Sequence, residues 1–512
     1  MVRKKSKKVV PKKSKQKVRT STRLKAAAKQ TSKRVSSIRS PKGPHRLDQF
    51  FNPQSVAIIG VSRSPHKVGH VIFRNFIENK FQGKIIPINP EINELLGYRV
   101  YPTILDAPGS IDLAVLAVPA PITPKILEQC GKKGVKNVIL IAGGFKEVGN
   151  EDLEKNVQRT LIKYKMRAIG VNCLGIYDTT SLVDTIFLPK YKLGRPEKGN
   201  ISFMTQSGAV GTAVMDWFAM KGYKMAKFIS YGNATDVDEA DILEYLGQDP
   251  ETKVICVYIE GVREGRKFFN IAKEVATQKP VIILKGGITD VGNAATMSHT
   301  GSLAGSIEIY KAAFKQAGII EADDIEQLFD YARLLSKDML PEGNRIQIIT
   351  DGGGFGVLAV DWAVKTGLQL AQLSPKSVAT LKKVLPHYAV IGNPIDLVGD
   401  ASAERYREAI NATLDDENID VVVVIALLQV PTLTAEIADV VASAADQKKK
   451  PLIVISAGGD FSETIKKSME EFGVPTFSYP ERALEAVSAL VKFSKIQKQP
   501  TKLKRISKAV KR

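Results

Sequence analysis

Cysteine is scarce in this chain of 512 residues, which holds Cys130, Cys173 and Cys256 at widely separated positions. An odd, scattered set fits neither a disulfide framework nor the spacing of a zinc site, and it is typical of a reducing cytoplasm. No run of roughly 18 or more apolar residues occurs, so a membrane-spanning helix is not expected. The first 45 residues lack the apolar core of a secretory signal, so we expect a cytoplasmic protein without membrane contact.

Acidic residues are absent from both ends of the chain. Residues 1–47 hold 18 Lys and Arg without a single Asp or Glu, and residues 491–512 hold nine. The other 47 basic residues and all 53 acidic residues lie between these two ends. The body of the chain, which is the part between the tails, therefore carries a net charge of about −6, although the whole chain carries +21. The N-terminal tail is predicted to be disordered because it has few apolar residues. It is either an electrostatic arm for nucleic acid or another polyanion, or a solvated extension without a specific partner.

Between these tails, short Val- and Ile-rich runs alternate with segments of helical spacing. This alternation is typical of parallel sheets covered by helices, so we predict an α/β protein built from three open, doubly wound domains. The predicted bounds are a basic tail over 1–47, domains over 48–185, 195–340 and 341–495, and a basic tail over 496–512.

The first strand, "SVAIIG", ends in a glycine-bearing turn before a helix, where backbone N–H groups can hold phosphate. Ser62 replaces the second glycine of a dinucleotide fingerprint, and the next strand ends in Asn89 and Pro90 without the acid that NAD binding needs. Arg63 and Lys67 could instead neutralise several phosphate charges. Coenzyme A carries a pyrophosphate and a 3′-phosphate and fits this chemistry; a turn with surface cations and no ligand is the alternative.

A lone histidine, His299, lies in "MSHTGSLAG" over 297–305, and we predict that this small, polar segment is a loop that leaves the ring uncovered. The other histidines offer no metal-ligand spacing around it, and no G-x-S-x-G elbow supports a serine hydrolase. A satisfied structural histidine is the ordinary alternative, but the Gly- and Ser-rich surroundings favour a nucleophile that accepts a phosphoryl group. Ser207 and Gly208 at a helix start could hold the phosphate, and Glu260 at a strand end could hold the ring.

Twelve stretches, in one order across the three domains, resemble a known family. They include "SVAIIGVSR", "PINP", "GVNCLG", "FMTQSGA", "SYGN", "YIEGVREGR", "SHTGSLAG", "TDGGGFGV" and "GNPIDLVGDA". Over about residues 47–495 the chain is similar to the α subunits of ADP-forming acetate–CoA ligases, which are ADP-forming acyl-CoA synthetases related to succinyl-CoA synthetase. The resemblance implies a Rossmann-like CoA-binding domain followed by two flavodoxin-like, succinyl-CoA synthetase-like domains. The sequence departs from the family pattern at Asp351, where members of the family often have Asn.

The resemblance also implies which residues act. His299 would be phosphorylated during turnover, Glu260 would stabilise the phosphohistidine, and Ser207, Gly208 and Asn233 would lie around the phosphate and the reaction centre. The CoA-binding stretches would contribute Gly60, Ser62, Arg63, Lys67, Asn89, Pro90, Val118, Pro119 and Asn172.

The implied reaction is acyl-CoA + ADP + Pi ⇌ acid + ATP + CoA, through an acyl phosphate and a phosphohistidine. The sequence holds no P-loop, no kinase signature and no stretch resembling an ATP-grasp module. ADP, ATP and Mg²⁺ are therefore expected mainly on a separate ATP-grasp β subunit in an α₂β₂-type complex, and no metal ligands are predicted in this chain. A CoA-responsive regulator whose basic arm contacts nucleic acid is the alternative function.

Overall fold

Three large β-sheets follow one another along the chain, and helices cover them; two further sheets in the described residues have two strands each. The computed structural model describes residues 45–300 and 306–498. The long central strands of all three sheets are almost wholly buried, which explains why their sequences are continuous runs of apolar residues. The predicted α/β class is confirmed.

The first sheet has five parallel strands in the order β2–β1–β5–β6–β7, so the direction of winding reverses between β1 and β5. Such a reversal opens a crevice at the carboxyl ends of the two strands, where α/β proteins bind ligands. The elements are α1 (Asp48–Phe51), β1 (Ser55–Ile59), α2 (Val68–Glu78), β2 (Lys84–Ile88), β3 (Glu94–Leu95), β4 (Tyr98–Arg99), β5 (Leu113–Leu116), α3 (Thr123–Lys133), β6 (Asn137–Leu140), α4 (Glu151–Tyr164) and β7 (Arg167–Gly170), with 3₁₀ turns at Ala120–Ile122 and Lys146–Val148.

The second sheet has six strands in the order β15–β14–β13–β10–β12–β8, of which only β8 is antiparallel to its neighbour. Because β8 follows β7 closely in sequence, the chain enters the second sheet at once. The elements are β8 (Gly175–Asp178), β9 (Glu197–Lys198), β10 (Ile201–Thr205), α5 (Gly208–Lys221), β11 (Lys224–Met225), β12 (Lys227–Ser230), α6 (Glu239–Gln248), β13 (Val254–Ile259), α7 (Gly265–Ala276), β14 (Val281–Lys285), α8 (Asp290–Thr300), α9 (Ile307–Ala317), β15 (Ile320–Ala322) and α10 (Ile325–Leu335).

The third sheet is parallel throughout, in the order β17–β16–β19–β20–β21, with β18 also beside β16. The elements are β16 (Arg345–Thr350), α11 (Gly353–Lys365), β17 (Gln369–Leu370), α12 (Pro375–Val384), β18 (Ile395–Asp396), α13 (Ala403–Leu414), β19 (Val421–Ile425), α14 (Ile437–Asp446), β20 (Leu452–Ile455), α15 (Asp460–Glu471), β21 (Thr476–Phe477) and α16 (Pro480–Lys498).

Buried side chains join the sheets to one another. One apolar cluster runs from the first sheet into the second, and within it Phe51 stacks on Tyr245 with ring centroids 4.6 Å apart. Helix α16 packs against α10 and α11, so the second and third sheets share a core. The ammonium of Lys227 is buried and pairs with Asp178 at 3.2 Å and Asp249 at 3.1 Å, which compensates the cost of burying its charge.

The cysteines are buried and unpaired, and burial raises the pKa of Cys130 to about 12, so its thiol stays protonated at neutral pH. Within the described ranges, no helix has both the length and the apolar composition needed to cross a membrane. The same ranges contain no group of three or more His, Cys, Asp or Glu side chains placed to hold a metal ion.

Candidate functional site

The turn after β1 lies at the crevice of the first sheet. Gly60 has a φ of +93°, and a Cβ added there would lie 2.4 Å from the carbonyl oxygen of Ala117, just after β5. A Cβ on Gly69, in the first turn of α2, would lie 2.1 Å from the carbonyl oxygen of Gly60. The strand, its neighbour and the helix can therefore approach this closely only because both residues are glycine.

The backbone at Ser62 is held by a histidine. The buried ring of His70 on α2 forms a hydrogen bond through Nδ1 with the Ser62 carbonyl at 2.6 Å, and the Ser62 hydroxyl accepts the N–H of Ser64 at 3.2 Å. Arg63 and Lys67 are exposed, and Lys67 directly precedes α2. The turn therefore presents two cations beside the start of a helix, an arrangement that attracts anions.

The remaining residues of the predicted CoA-binding stretches border this turn or the same edge of the sheet. Asn89 donates from Nδ2 to the Val61 carbonyl at 2.6 Å and accepts the N–H of Glu91 at 2.7 Å, which ties the end of β2 to the turn. Val118 approaches Gly60 and is buried, whereas its neighbour Pro119 is exposed, as is Pro90 on the other side.

In the second sheet, strand β10 leads into helix α5 through a short turn. Ser207 is the N-cap of α5, where its Oγ accepts the N–H of Val210 at 3.3 Å, and Gly208 begins the helix. The Thr205 hydroxyl donates to the Ser207 carbonyl at 2.9 Å and accepts the Ser207 N–H at 3.1 Å. These bonds fix the start of α5 at the carboxyl edge of the sheet, where helix N-termini favour anions.

Glu260 follows β13, the neighbour of β10, and it is only 8% exposed. The Oε1 atom of Gln206 accepts the N–H of Glu260 at 2.8 Å and that of Gly261 at 3.2 Å, so the ends of the two strands are tied together. The Tyr258 hydroxyl donates to the Glu260 carboxylate at 3.3 Å, and burial together with this carboxylate raises the pKa of Tyr258 to about 12. Tyr258 is therefore a permanent donor at neutral pH, and Ser207 and Glu260 lie at adjacent strand ends.

Lys285, at the end of β14, extends this edge by one more strand. Its ammonium donates to the carbonyl oxygens of Glu260, at 2.8 Å, and of Gly286, and lies 5.0 Å from the centre of the Tyr310 ring. Burial lowers the pKa of Lys285, and the nearby Glu260 opposes this effect. The lysine thus joins the ends of β13 and β14 around the carboxylate-bearing residue.

His299 lies near the end of helix α8, so the predicted loop over 297–305 is wrong for residues 297–300. The helix continues because no proline occurs and the last glycine before Thr300 is Gly292, which leaves no strong breaker of helical structure. The side chain of His299 and residues 301–305 lie outside the described residues. Helix α8 packs against the turn Lys146–Val148, which belongs to the carboxyl edge of the first sheet.

Asn172 and Asn233 connect the edges of the first and second sheets. Asn172, just after β7, has a left-handed φ of +54° and donates from Nδ2 to Oδ1 of Asn233 at 3.3 Å. Asn233, just after β12, donates from its own Nδ2 to Glu147 at 2.7 Å and to Glu154 at 3.1 Å. A residue predicted to bind CoA and one predicted at the reaction centre are therefore in contact, although 61 positions separate them in the sequence.

Sequence reasoning missed the side chains that hold these groups in place. They are His70, Glu147, Glu154, Gln206, Tyr258 and Lys285. His70 was weighed only as a metal ligand. Gln206 and Tyr258 lie inside the matching stretches "FMTQSGA" and "YIEGVREGR", but neither was assigned a role. Several of these side chains had one usable signal, which is a position at or just after the end of a predicted parallel strand, where such sheets collect functional side chains.

Three family models match successive parts of the chain. A CoA binding domain matches residues 54–179, a succinyl-CoA ligase like flavodoxin domain matches residues 198–335, and a Ligase-CoA domain matches residues 346–498. The three matches coincide in order with the three sheets.

Named relatives match almost the whole body of the chain. Acetate–CoA ligase [ADP-forming] II subunit alpha of Pyrococcus furiosus is 40% identical over 457 residues, which cover 88% of this chain and 98% of that subunit. Acetate–CoA ligase [ADP-forming] I of Archaeoglobus fulgidus is also 40% identical, over 88% of this chain, but this chain spans only 64% of its length. A solved structure of dinucleotide forming acetyl-coenzyme A synthetase 1 from Ca. Korarchaeum cryptofilum, in complex with phosphate and ADP, aligns with a TM-score of 0.84 and 36% identity over 88% of this chain and 97% of that one.

Proposed function

Since this chain belongs to the family of ADP-forming acetate–CoA ligase α subunits, we propose that it catalyses, together with a partner, acyl-CoA + ADP + Pi ⇌ acid + ATP + CoA. The enzyme would be an acid–thiol ligase. Acetate is the proposed acid, because relatives that are 40% identical are acetate–CoA ligases. Its place of action is proposed to be the cytoplasm, in keeping with three free, buried cysteines.

CoA is proposed to bind across the carboxyl edge of the first sheet. The close approach at Gly60 leaves the turn free of a side chain, and the exposed Arg63 and Lys67 supply charge for phosphate groups. Ser62, whose backbone His70 holds, would offer polar contacts in the same turn. The rest of the proposed contact set is Asn89, Pro90, Val118, Pro119 and Asn172.

The chemistry is proposed to proceed in three transfers. Phosphate attacks the thioester carbonyl and the C–S bond breaks. CoA leaves, and the acyl group remains bound to phosphate as an acyl phosphate. A ring nitrogen of His299 then attacks phosphorus, the bond to the acyl oxygen breaks, and the acid is released. Finally the N–P bond breaks as an oxygen of ADP takes the phosphoryl group.

The second sheet would hold the phosphohistidine. The start of α5 at Ser207 and Gly208 would bind the phosphoryl oxygens, since a helix N-terminus offers unpaired N–H groups and a positive dipole end. Glu260 would accept the N–H of the other ring nitrogen and so fix the tautomer of His299. Asn233 would lie beside the reacting groups, at the junction with the first sheet.

The nucleotide is proposed to bind mainly to a separate ATP-grasp β subunit in an α₂β₂-type complex, which would also hold Mg²⁺. The support is that the relatives spanned almost completely by this chain are named subunit alpha. His299 would then carry the phosphoryl group between the two sites, which requires movement of its segment during turnover.

The observation that carries this proposal is the pair formed by the capped start of α5 and the buried carboxylate of Glu260, tied together through Gln206. To test it, the chain is incubated with acetyl-CoA and ³²P-labelled phosphate, and acid-labile label is measured. The wild type should be labelled, His299→Ala should not, and His387→Ala, which changes an exposed histidine, should label normally. An unlabelled wild type, or equal label in His299→Ala, would refute the proposal.

The N-terminal tail is proposed to contact a polyanion, because residues 1–47 hold 18 Lys and Arg and no acid. Removal of residues 1–44, which spares the buried Leu47, should abolish salt-sensitive binding to DNA or RNA and leave phosphorylation unchanged. If binding also responds to CoA while no phosphohistidine forms, the alternative of a CoA-responsive regulator replaces the enzyme. Unchanged binding after truncation would show that the tail does not bind the nucleic acid.

A further inference from the structure

The side-chain amide of Asn233 is held from three sides, so its orientation is specified. Its Nδ2 donates to Oε2 of Glu147 at 2.7 Å and to Oε2 of Glu154 at 3.1 Å, while its Oδ1 accepts from Asn172 at 3.3 Å. An amide has two donor hydrogens and one acceptor oxygen, and all three functions are assigned here. Rotation by 180° would place the oxygen against two carboxylates, which is unfavourable.

Glu147 is itself anchored to the backbone. Its Oε1 accepts the N–H of Gly144 at 2.6 Å and that of Phe145 at 3.1 Å, which leaves Oε2 for Asn233. Burial alone would raise the pKa of Glu147, but the hydrogen bonds from Asn233 and from these two amides outweigh it, so the pKa lies below its ordinary value. The group is therefore a carboxylate at neutral pH.

Glu147 and Glu154 both accept hydrogen bonds from Asn233, but their surroundings indicate different roles. Glu154 is buried and also accepts the Thr235 hydroxyl at 2.9 Å and the N–H of Lys146 at 3.3 Å, which are bonds expected of a structural residue. Glu147 is half-buried and lies in the turn Lys146–Val148, against which helix α8 packs. Glu147 thus bonds to Asn233 at the junction of the two sheets and belongs to a turn that contacts the helix carrying His299.

We propose that Glu147 is a positioning residue for the thioester half of the reaction, in which phosphate displaces CoA and His299 is then phosphorylated. By holding the amide of Asn233, it fixes the junction of the first and second sheets, beside which the acyl and phosphate groups react. The inference rests on the proposed function, since it assumes that Asn233 lies at the reaction centre. Glu147 exchanges no proton and forms no covalent bond in this role. The transfer of the phosphoryl group to ADP takes place on the partner and does not involve Glu147.

The test uses Glu147→Gln in the complex with the partner. The glutamine oxygen can still accept the two backbone N–H groups, but its amide nitrogen then faces Nδ2 of Asn233, so two donors oppose each other and Asn233 must turn or move. Labelling of His299 from acetyl-CoA and ³²P-phosphate should slow by about 10- to 100-fold, the size expected for a misplaced reacting group. Exchange of label between ADP and ATP through phosphohistidine should stay within about twofold of wild type.

Two further variants keep the inference falsifiable. Glu151→Gln changes an exposed carboxylate on the neighbouring helix and should leave both rates unchanged. Asn233→Ala should slow the thioester half, and adding Glu147→Gln to it should cause no additional loss, since Glu147 acts only through Asn233. Additive losses, or an equal fall in both half-reactions, would overturn the inference. A wild-type chain that forms no phosphohistidine by either route would instead refute the proposed function itself.

Discussion

The carboxyl ends of β10 in the second sheet and β16 in the third sheet are built alike. Each strand ends in a threonine whose hydroxyl donates to the carbonyl two residues on, from Thr205 to Ser207 at 2.9 Å and from Thr350 to Gly352 at 3.0 Å. Each hydroxyl also accepts the N–H of that same residue. In both sheets the next element is a helix whose first residues lie at the strand end.

The residue after each threonine ties the turn to the neighbouring strand. Gln206 accepts the N–H of Glu260, and Asp351 accepts the N–H of Leu427 at 3.1 Å. The ladder pairs Thr205 with Tyr258 and Thr350 with Ile425, so Glu260 and Leu427 occupy equivalent positions. The same backbone arrangement is therefore present twice, but the residue at the equivalent position of the neighbouring strand is a glutamate, Glu260, in the second sheet and an apolar residue, Leu427, in the third. The fold therefore supplies the same turn in both sheets, and single side chains beside it determine which chemistry the turn can support.

The largest effect is expected from Glu260→Gln, which removes the charge at the position where the third sheet has Leu427 and preserves the shape of the side chain. Phosphorylation of His299 should fall by about 100-fold, the usual result of removing one preorganised electrostatic group from an active site. Leu427→Met at the equivalent position of the third sheet should not change the rate. The measurement is initial labelling from acetyl-CoA and ³²P-phosphate, and a Glu260→Gln variant of normal rate would contradict the assignment.

Asp351→Asn should stabilise the protein in a pH-dependent manner. Burial raises the pKa of Asp351 to about 6, so the native state holds a proton that the unfolded chain releases near pH 4, and wild-type stability falls as pH rises between these values. The variant does not titrate, so its advantage should grow from about pH 4 to pH 6 and level off at about 1–3 kcal/mol. Thermal unfolding at pH 4 and pH 7.5 measures it, with Asp361→Asn on exposed α11 as control. If the stability advantage of Asp351→Asn over wild type shrinks as pH rises, the pKa of Asp351 is not raised in the native state.

The two helices should differ in tolerance to a methyl group at their equivalent glycines. A Cβ on Gly211 would lie 2.7 Å from the Phe228 ring and 2.9 Å from Thr205, whereas one on Gly356 would lie 3.2 Å or more from its neighbours. Gly211→Ala should therefore cost about 1–3 kcal/mol through overpacking. For Gly356→Ala, the gain in helix propensity of about 1 kcal/mol should offset the crowding. Melting temperatures compare the pair, and equal losses would show that the two helices pack alike.

The smallest effect is expected from exchanging the helix caps. Ser207→Gly removes the bond from Ser207 Oγ to the N–H of Val210, and it should cost only a few tenths of a kcal/mol because glycine is itself an acceptable cap. Gly352→Ser should gain a similar amount, provided that the end of the Leu427 side chain moves from the new Cβ, 2.5 Å away. Unfolding curves of both variants decide this, and a loss above about 1 kcal/mol in either would show that the turns are not interchangeable.

Much of this architecture was accessible from local sequence. The Val- and Ile-rich runs predicted the central strands, and "SVAIIGVSR", "FMTQSGA" and "TDGGGFGV" each marked a strand, a turn and a helix that the structure contains. The reason is physical, because a strand buried on both faces must be apolar and a tight strand-to-helix turn requires small residues. The motifs also located Ser207 and Glu260, which the parallel order of β10 and β13 then brings to adjacent ends.

The contacts that hold the candidate site together were decided only by tertiary structure. Glu147 meets Asn233 across 86 positions and Gln206 meets Glu260 across 54, and no local pattern encodes such distances. Helix α8 likewise extends through residues that small, polar composition predicted to be a loop. By itself the sequence determined the elements and the types of residue at their ends, because burial and turn chemistry act locally. The order of strands within each sheet, and the meeting of two sheet edges, determined which of those residues touch, because packing selects among side chains far apart in the chain.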